Sequence, residues 1–209
     1  PEPDALAQTL ASLGINNNSQ VVVYDDMGGA MAARAWWMLV QQGIEVYVLN
    51  GGFGAWQKQG LPIEMGVNLP APTECRIKVS YPWLVTEEDV VANFEADRFQ
   101  LLDARAEDRF NGMNETMDPV AGHIPGAINR PFMNNLNAEG LMKSPERLQT
   151  EWGALLQHIE KPIVYYCGSG VTACHNVLAM NYAGLEAKHV YVVSWSQWAK
   201  RMQRMMQEH

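Results

Sequence analysis

Short apolar runs alternate along this chain with longer stretches whose apolar residues recur at helical spacing. Val21-Val22-Val23-Tyr24 and Val46–Leu49 are too short for helices and read as buried strands. An Ala- and Leu-rich helix over Ala5–Leu13, capped by Asp4 and stopped by Gly14, precedes them, and a second helix runs from Ala30 to Gln42. Gly51-Gly52-Phe53-Gly54-Ala55-Trp56 turns the chain into a short helix ending near Gly60-Leu61-Pro62. From Glu64 to Tyr81 the periodicity is lost, and Gly66, Asn68, Pro70 and Pro72 mark a linker. Thr86-Glu87-Glu88-Asp89 then opens a helix as a capping box, and Gln100-Leu101-Leu102 is a strand leading into Asp103-Ala104-Arg105. A polar loop over 111–121 reaches Gly122-His123-Ile124-Pro125-Gly126-Ala127, and Ser144-Pro145-Glu146 starts a helix with a cap followed by proline. Ile163–Tyr166 is a strand, Val171–Tyr182 a helix, Val190–Val193 a strand, and a Met- and Arg-rich helix closes the chain. Strands alternating with helices predict an α/β fold with small parallel sheets flanked by helices.

The pattern repeats. Val22-Val23-Tyr24-Asp25 aligns with Val164-Tyr165-Tyr166-Cys167, and Gly52-Phe53-Gly54-Ala55-Trp56 with Ser194-Trp195-Ser196-Gln197-Trp198, both at an offset of 142 residues. Two tandem domains are therefore expected: residues 1–68, a linker over 69–82, and residues 83–209. The second copy has about 80 residues before its Cys strand and the first only about 20. Against a normal domain length, the first copy reads as truncated on its N-terminal side by roughly 60–80 residues.

Composition narrows the partners. Lys+Arg 15 against Asp+Glu 23 gives −8. Divided at Pro82, the first part has 4 basic and 7 acidic residues, and the remainder 11 and 16. Both parts are acidic, which argues against nucleic acid or an anionic membrane as partner. No apolar run approaches the ~20 residues needed to span a bilayer. Cys75, Cys167 and Cys174 are too few for a disulfide framework and lack the paired spacing of a zinc site, so no metal is implied and a reducing, cytoplasmic setting is expected.

Cys167 is the candidate nucleophile. It stands where a buried strand meets a helix, followed by Gly168-Ser169-Gly170-Val171-Thr172. Two glycines let the backbone curl so that amides point at the sulfur, and the helix N-terminus adds a partial positive charge, a setting that stabilises a thiolate. A phosphate-binding Cys loop needs an Arg about six positions on for a bidentate grip, but Ala173 stands there. A neutral curled loop suits instead a large soft anion such as a persulfide on Cys167. Arg109 offers a fork for a carboxylate. Cys75 falls in the linker, where exposure would leave it oxidisable, and Trp36, Trp37 and Met38 read as packing residues.

Cys167-Gly168-Ser169-Gly170-Val171-Thr172 resembles the active-site loop of two-domain sulfurtransferases of the rhodanese superfamily, and most closely the branch that uses 3-mercaptopyruvate. The likeness extends to Asp103-Ala104-Arg105, Arg109-Phe110, the Gly122–Ala127 segment and Ser194-Trp195-Ser196-Gln197-Trp198, and in the first part to Trp36-Trp37-Met38 and Leu49-Asn50-Gly51-Gly52. The resemblance implies two rhodanese-like domains, the first non-catalytic, with Asp25 in the cysteine position. It implies a cofactor-free reaction in which Cys167 takes a sulfane sulfur from 3-mercaptopyruvate and passes it to a thiol such as thioredoxin, or to cyanide. Ser169 would assist proton transfer, Arg109 would bind the donor carboxylate, and Gly168, Gly170, Val171 and Thr172 would line the donor and the sulfur. His123 would fix a turn. A second substrate Arg usual in the family is absent from Asn114-Glu115-Thr116-Met117-Asp118-Pro119-Val120. A first-domain His and Asp of the family's catalytic set would precede Pro1. Thiosulfate as donor, or a non-catalytic persulfide carrier, are the alternatives; the neutral loop favours 3-mercaptopyruvate.

Overall fold

The computed structural model describes residues 1–67, 70–77 and 80–207. The expected boundary at 68/69 falls outside them. The chain divides into two compact units, Pro1–Pro82 and Trp83–His209.

In the first unit the order is α1 (Pro3–Ser12), β1 (Gln20–Val23), α2 (Ala30–Val40), β2 (Glu45–Val48) and α3 (Gly52–Lys58). β1 and β2 pair in parallel, Val21 opposite Val46. Leu6 and Leu10 of α1, Leu39 of α2, Ile44 and Val46 form the core, with Trp36 and Met38 packed against it and Trp37 1% exposed. α1 starts earlier than expected. Pro3 takes the first helical position, where its missing N–H costs nothing, and Glu2 rather than Asp4 is the N-cap. Residues of the aperiodic segment lie along this unit: Thr73 N donates to Ala11 O, Arg76 N donates to Asn17 Oδ1, and Ile77 and Tyr81 pack on the core. Cys75 packs there too. It is half-buried rather than exposed, and burial pushes its thiol up.

The second unit runs β3 (Leu84–Val85), α4 (Glu87–Ala96), β4 (Gln100–Asp103), α5 (Glu107–Phe110), β5 (Ile128–Asn129), α6 (Pro145–Leu156), β6 (Ile163–Tyr166), α7 (Ala173–Tyr182), β7 (Val190–Tyr191) and α8 (Ser194–Gln207). All pairings are parallel, in the order β3-β7-β6-β4-β5. Successive residues of β4 and β6 are buried, so both sheet faces are covered. On one face Leu101, Val164, Tyr166 and Tyr191 pack with Val90 of α4 and Trp195 and Trp198 of α8. On the other, Tyr165 meets Trp152 of α6 edge-on, and α7 packs on β6. Two of the three caps read from sequence form: Thr86 Oγ1 accepts from Asp89 N while Asp89 Oδ2 accepts from Thr86 N, and Ser144 Oγ accepts from Arg147 N. Two ends differ from expectation. α7 begins at Ala173 rather than Val171, because the glycine loop occupies the intervening residues. β7 stops at Tyr191 rather than Val193, because Ser194 takes a left-handed backbone conformation (φ 55°) that an extended strand cannot continue through.

Candidate active site

Parallel strands end on the same edge of a sheet, so the ends of β7, β6 and β4, adjacent in the order, bring three loops together. β6 delivers Cys167, β4 delivers Arg105 and Arg109, and β7 delivers Ser194.

Cys167 is buried, 2% exposed. Its backbone is held on both sides: its N–H donates to Ser194 Oγ at 3.1 Å, and its carbonyl accepts from Trp195 N at 3.0 Å. Gly168 O accepts from Ser196 N at 2.9 Å. The first turn of α8 therefore pins the start of the loop. Ser194 is itself fully buried, and its hydroxyl donates to Tyr191 O at 2.7 Å. A serine at positive φ costs roughly 1–2 kcal/mol, which these two hydrogen bonds offset.

The two loop glycines have different reasons. Gly170 has φ +73°, and a Cβ there would stand 2.1 Å from Val192 O, so only glycine fits. Gly168 is not in the left-handed region; its open side faces Arg109, whose Nη1 would lie 3.8 Å from a Cβ built there. Ser169 is exposed, Val171 and Thr172 are half-buried, and Thr172 precedes α7 as its N-cap without a side-chain cap bond. Cys174 is buried, its Sγ donating to Gly170 O at 3.4 Å, a packing position rather than a surface thiol.

Arg109 is placed beside the loop, but its fork is occupied. Nε donates to Glu115 Oε2 at 3.2 Å, and Nη2 donates to Oε1 and Oε2 at 2.8 and 2.9 Å and to Asp118 Oδ2 at 3.2 Å. Glu115 also accepts from the amides of Met117 and Asp118 and from Arg105 Nη1 at 3.3 Å. Burial pushes the Glu115 carboxyl up, yet the Met117 amide, Arg109 and the Asp118 amide together outweigh it and hold the group below its ordinary value. Arg105 is buried in a bidentate pair with Asp103, donates to Gly122 O and lies 4.8 Å over the Trp195 ring, joining the β4 loop to α8. His123 Nδ1 lies 2.8 Å from Phe110 O, and its ring stacks on Phe110, which ties the Gly122–Ala127 turn to α5.

The sequence reading missed Ser194, Glu115 and Asp118. Ser194 was visible as the 142-residue partner of Gly52, a glycine replaced where positive φ is needed. Glu115 and Asp118 stood in view in the loop lacking a second Arg, but nothing in their spacing announced that they turn back onto Arg109. Among the described residues, no three or more His, Cys, Asp or Glu are gathered to hold a metal ion.

The rhodanese-like domain model matches residues 1–59 and 86–201. The chain belongs to the rhodanese-like family. This rhodanese-like chain is 43% identical over 203 residues to a protein of Pseudomonas aeruginosa named as a probable 3-mercaptopyruvate sulfurtransferase, covering 95% of the chain and 71% of that relative. It is 41% identical over 207 residues to the thiosulfate sulfurtransferase of Bos taurus, covering 96% and 70%. Among solved structures, 3-mercaptopyruvate sulfurtransferase from Leishmania major superposes with a TM-score of 0.84 at 30% identity. That match covers 100% of the rhodanese-like chain but only 60% of the Leishmania chain.

Proposed function

We propose that this rhodanese-like chain is a sulfurtransferase that moves a sulfane sulfur from 3-mercaptopyruvate through a Cys167 persulfide to a thiol acceptor such as thioredoxin, or to cyanide. The observation that carries the reading is Cys167 itself, fixed by Ser194 and Trp195 at the head of a loop with no charged side chain and with Arg109 beside Gly168. The Cys167 thiolate attacks the donor sulfur, forming an S–S bond as the C–S bond breaks. The electron pair stays on the former donor carbon, which takes up a proton and leaves as pyruvate. An acceptor thiolate then attacks the outer sulfur, and the Cys167 thiolate is released. Ser169, exposed on the loop, is the candidate for handing over the proton; Arg109 is the candidate for the donor carboxylate; Gly168, Gly170, Val171 and Thr172 line the path of the sulfur. Three free cysteines fit a reducing, cytoplasmic setting, and no described helix is long and apolar enough to cross a membrane.

Thiosulfate as donor is the second reading, favoured by the likeness to the bovine thiosulfate sulfurtransferase. Steady-state turnover with 3-mercaptopyruvate and thiosulfate, measured in parallel with a Cys167→Ser control, decides between them. A preference for 3-mercaptopyruvate with no turnover in the control is expected. A preference for thiosulfate would assign donor choice to charges outside the loop. Equal turnover by the control would remove Cys167 from the mechanism.

A further inference from the structure

Arg109 has two edges that can grip an anion, and they face different neighbours. The Nε/Nη2 edge, one of two that can hold a carboxylate by two parallel hydrogen bonds, already holds Glu115, and Nη2, shared with the other edge, also donates to Asp118. The Nη1 edge faces Gly168. Glu115 does not swing freely against it. Its side chain is 3% exposed and its oxygens also accept from two backbone amides and Arg105. Asp118, 6% exposed, adds a second carboxylate to Arg109 Nη2. The guanidinium beside Gly168 is thus met by an internal carboxylate in the position a donor carboxylate would take, with a second one on its Nη2.

We infer that Glu115 and Asp118 are specificity-determining residues that compete with the donor carboxylate for Arg109 and restrict it to the Nη1 edge. This inference rests on the proposed carboxylate-bearing donor. A donor approaching Cys167 then meets a guanidinium whose charge is largely balanced and whose bidentate edge is closed. Carboxylate donors are held by one edge only, and the acid pair sets how weakly. A chain with these two acids and no second arginine discriminates less between carboxylate donors and other sulfur anions than one with an open fork.

The test separates binding from turnover. In a Cys167→Ser background, where no sulfur is transferred, the affinity for 3-mercaptopyruvate is measured by calorimetry with and without Glu115→Gln. Removing the charge weakens the internal competitor, and affinity should rise roughly tenfold, the value of one charge-assisted hydrogen bond. Asp118→Asn, which alters a single 3.2 Å contact, should give a smaller gain of about threefold. With Arg109→Gln in place, Glu115→Gln should give no gain, because the effect runs through Arg109. Unchanged or weaker binding in folded Glu115→Gln overturns the inference, as does a gain that persists without Arg109. If Glu115→Gln fails to fold, Asp118→Asn decides alone, and unchanged affinity there overturns it. Failure of the wild-type chain to turn over either donor would count against the proposed function, and the binding result would still stand or fall by itself.

Discussion

At the end of β1 the chain carries Asp25, and 142 residues later, at the end of β6, it carries Cys167. Both follow a parallel strand, precede a glycine-containing loop and lead to a helix, although β1, expected to be buried, alternates exposed and half-buried residues where β6 is buried. Asp25 turns its carboxylate into its own loop. Oδ1 accepts from Met27 N and Gly29 N, and Oδ2 from Met31 N and Ala32 N, all at 2.8 Å. Two of these amides belong to the first turn of α2, whose N-cap Gly29 supplies no side-chain bond. The first unit therefore fills its anion cradle permanently, with a charge that cannot leave. In the second unit the residue at that place is a thiol, and Thr172 supplies no side-chain cap to α7. On the proposed mechanism, the second loop receives its anion only by reaction, as a sulfur on Cys167, where its counterpart has a fixed carboxylate. On that reading, a turn from strand to helix serves as structure or as chemistry according to the side chain at its head.

The most direct way to break the comparison is to give the second loop the side chain of the first. Cys167→Asp should lower turnover with either donor by at least about a thousandfold, since it removes the proposed nucleophile, while the chain keeps its fold by circular dichroism. Turnover above a hundredth of the wild-type rate would show that the two loops differ by more than this residue.

A second contrast lies one turn away. Gly52 and Ser194 are repeat partners, and both have positive φ, 60° and 55°. The spaces around them differ. A Cβ on Gly52 would stand 1.8 Å from Asp25 O, whereas Ser194 has a side chain whose hydroxyl accepts from Cys167 N. Gly52→Ser should accordingly destabilise by about 3 kcal/mol or more, through backbone clash added to strain. Ser194→Gly loses two hydrogen bonds but relieves strain of similar size, so stability should stay within about 1 kcal/mol. Urea unfolding of both variants checks this. Equal losses would mean that the two turns are built alike.

Sequence reasoning saw much of this. Strand and helix order, the repeat, the Thr86 and Ser144 caps and the place of Cys167 between a strand and a glycine loop were legible because each rests on local chemistry, whereas the Asp4 cap gave way to Glu2 because Pro3 already opens the helix. The closing of the Arg109 fork was not, because Glu115 acts through a loop of irregular backbone with no periodicity to read. Nor was the end of β7, where apolar Val192 and Val193 continue a strand-like pattern and only the serine after them breaks it. The inferred competition for Arg109 lies in that same illegible part, in how the 111–121 loop folds back on it.

The smallest expected effect concerns the fixed carboxylate. Burial raises the Asp25 pKa, but the amides of Ala32, Met27, Gly29 and Met31 together pull it below its ordinary value of 3.8. A folded-state pKa lowered in this way adds stability that is fully present above the unfolded value and is lost as pH falls through the folded one. Asp25→Asn keeps one acceptor oxygen and turns an NH2 toward amides that need an acceptor, so at pH 7 it should cost about 1 kcal/mol, kept small because Asp25 is only half-buried. As pH drops below the unfolded value of about 4, the unfolded chain takes up a proton that the folded Asp25 still resists, so the gap between the two proteins should shrink, and it closes once pH passes the lowered folded value. Urea unfolding at pH 7 and pH 3 measures the gap. A difference that persists undiminished at pH 3 would mean that the cradle in the first unit selects for shape rather than charge, and would remove the reason for expecting its counterpart around Cys167 to favour an anion.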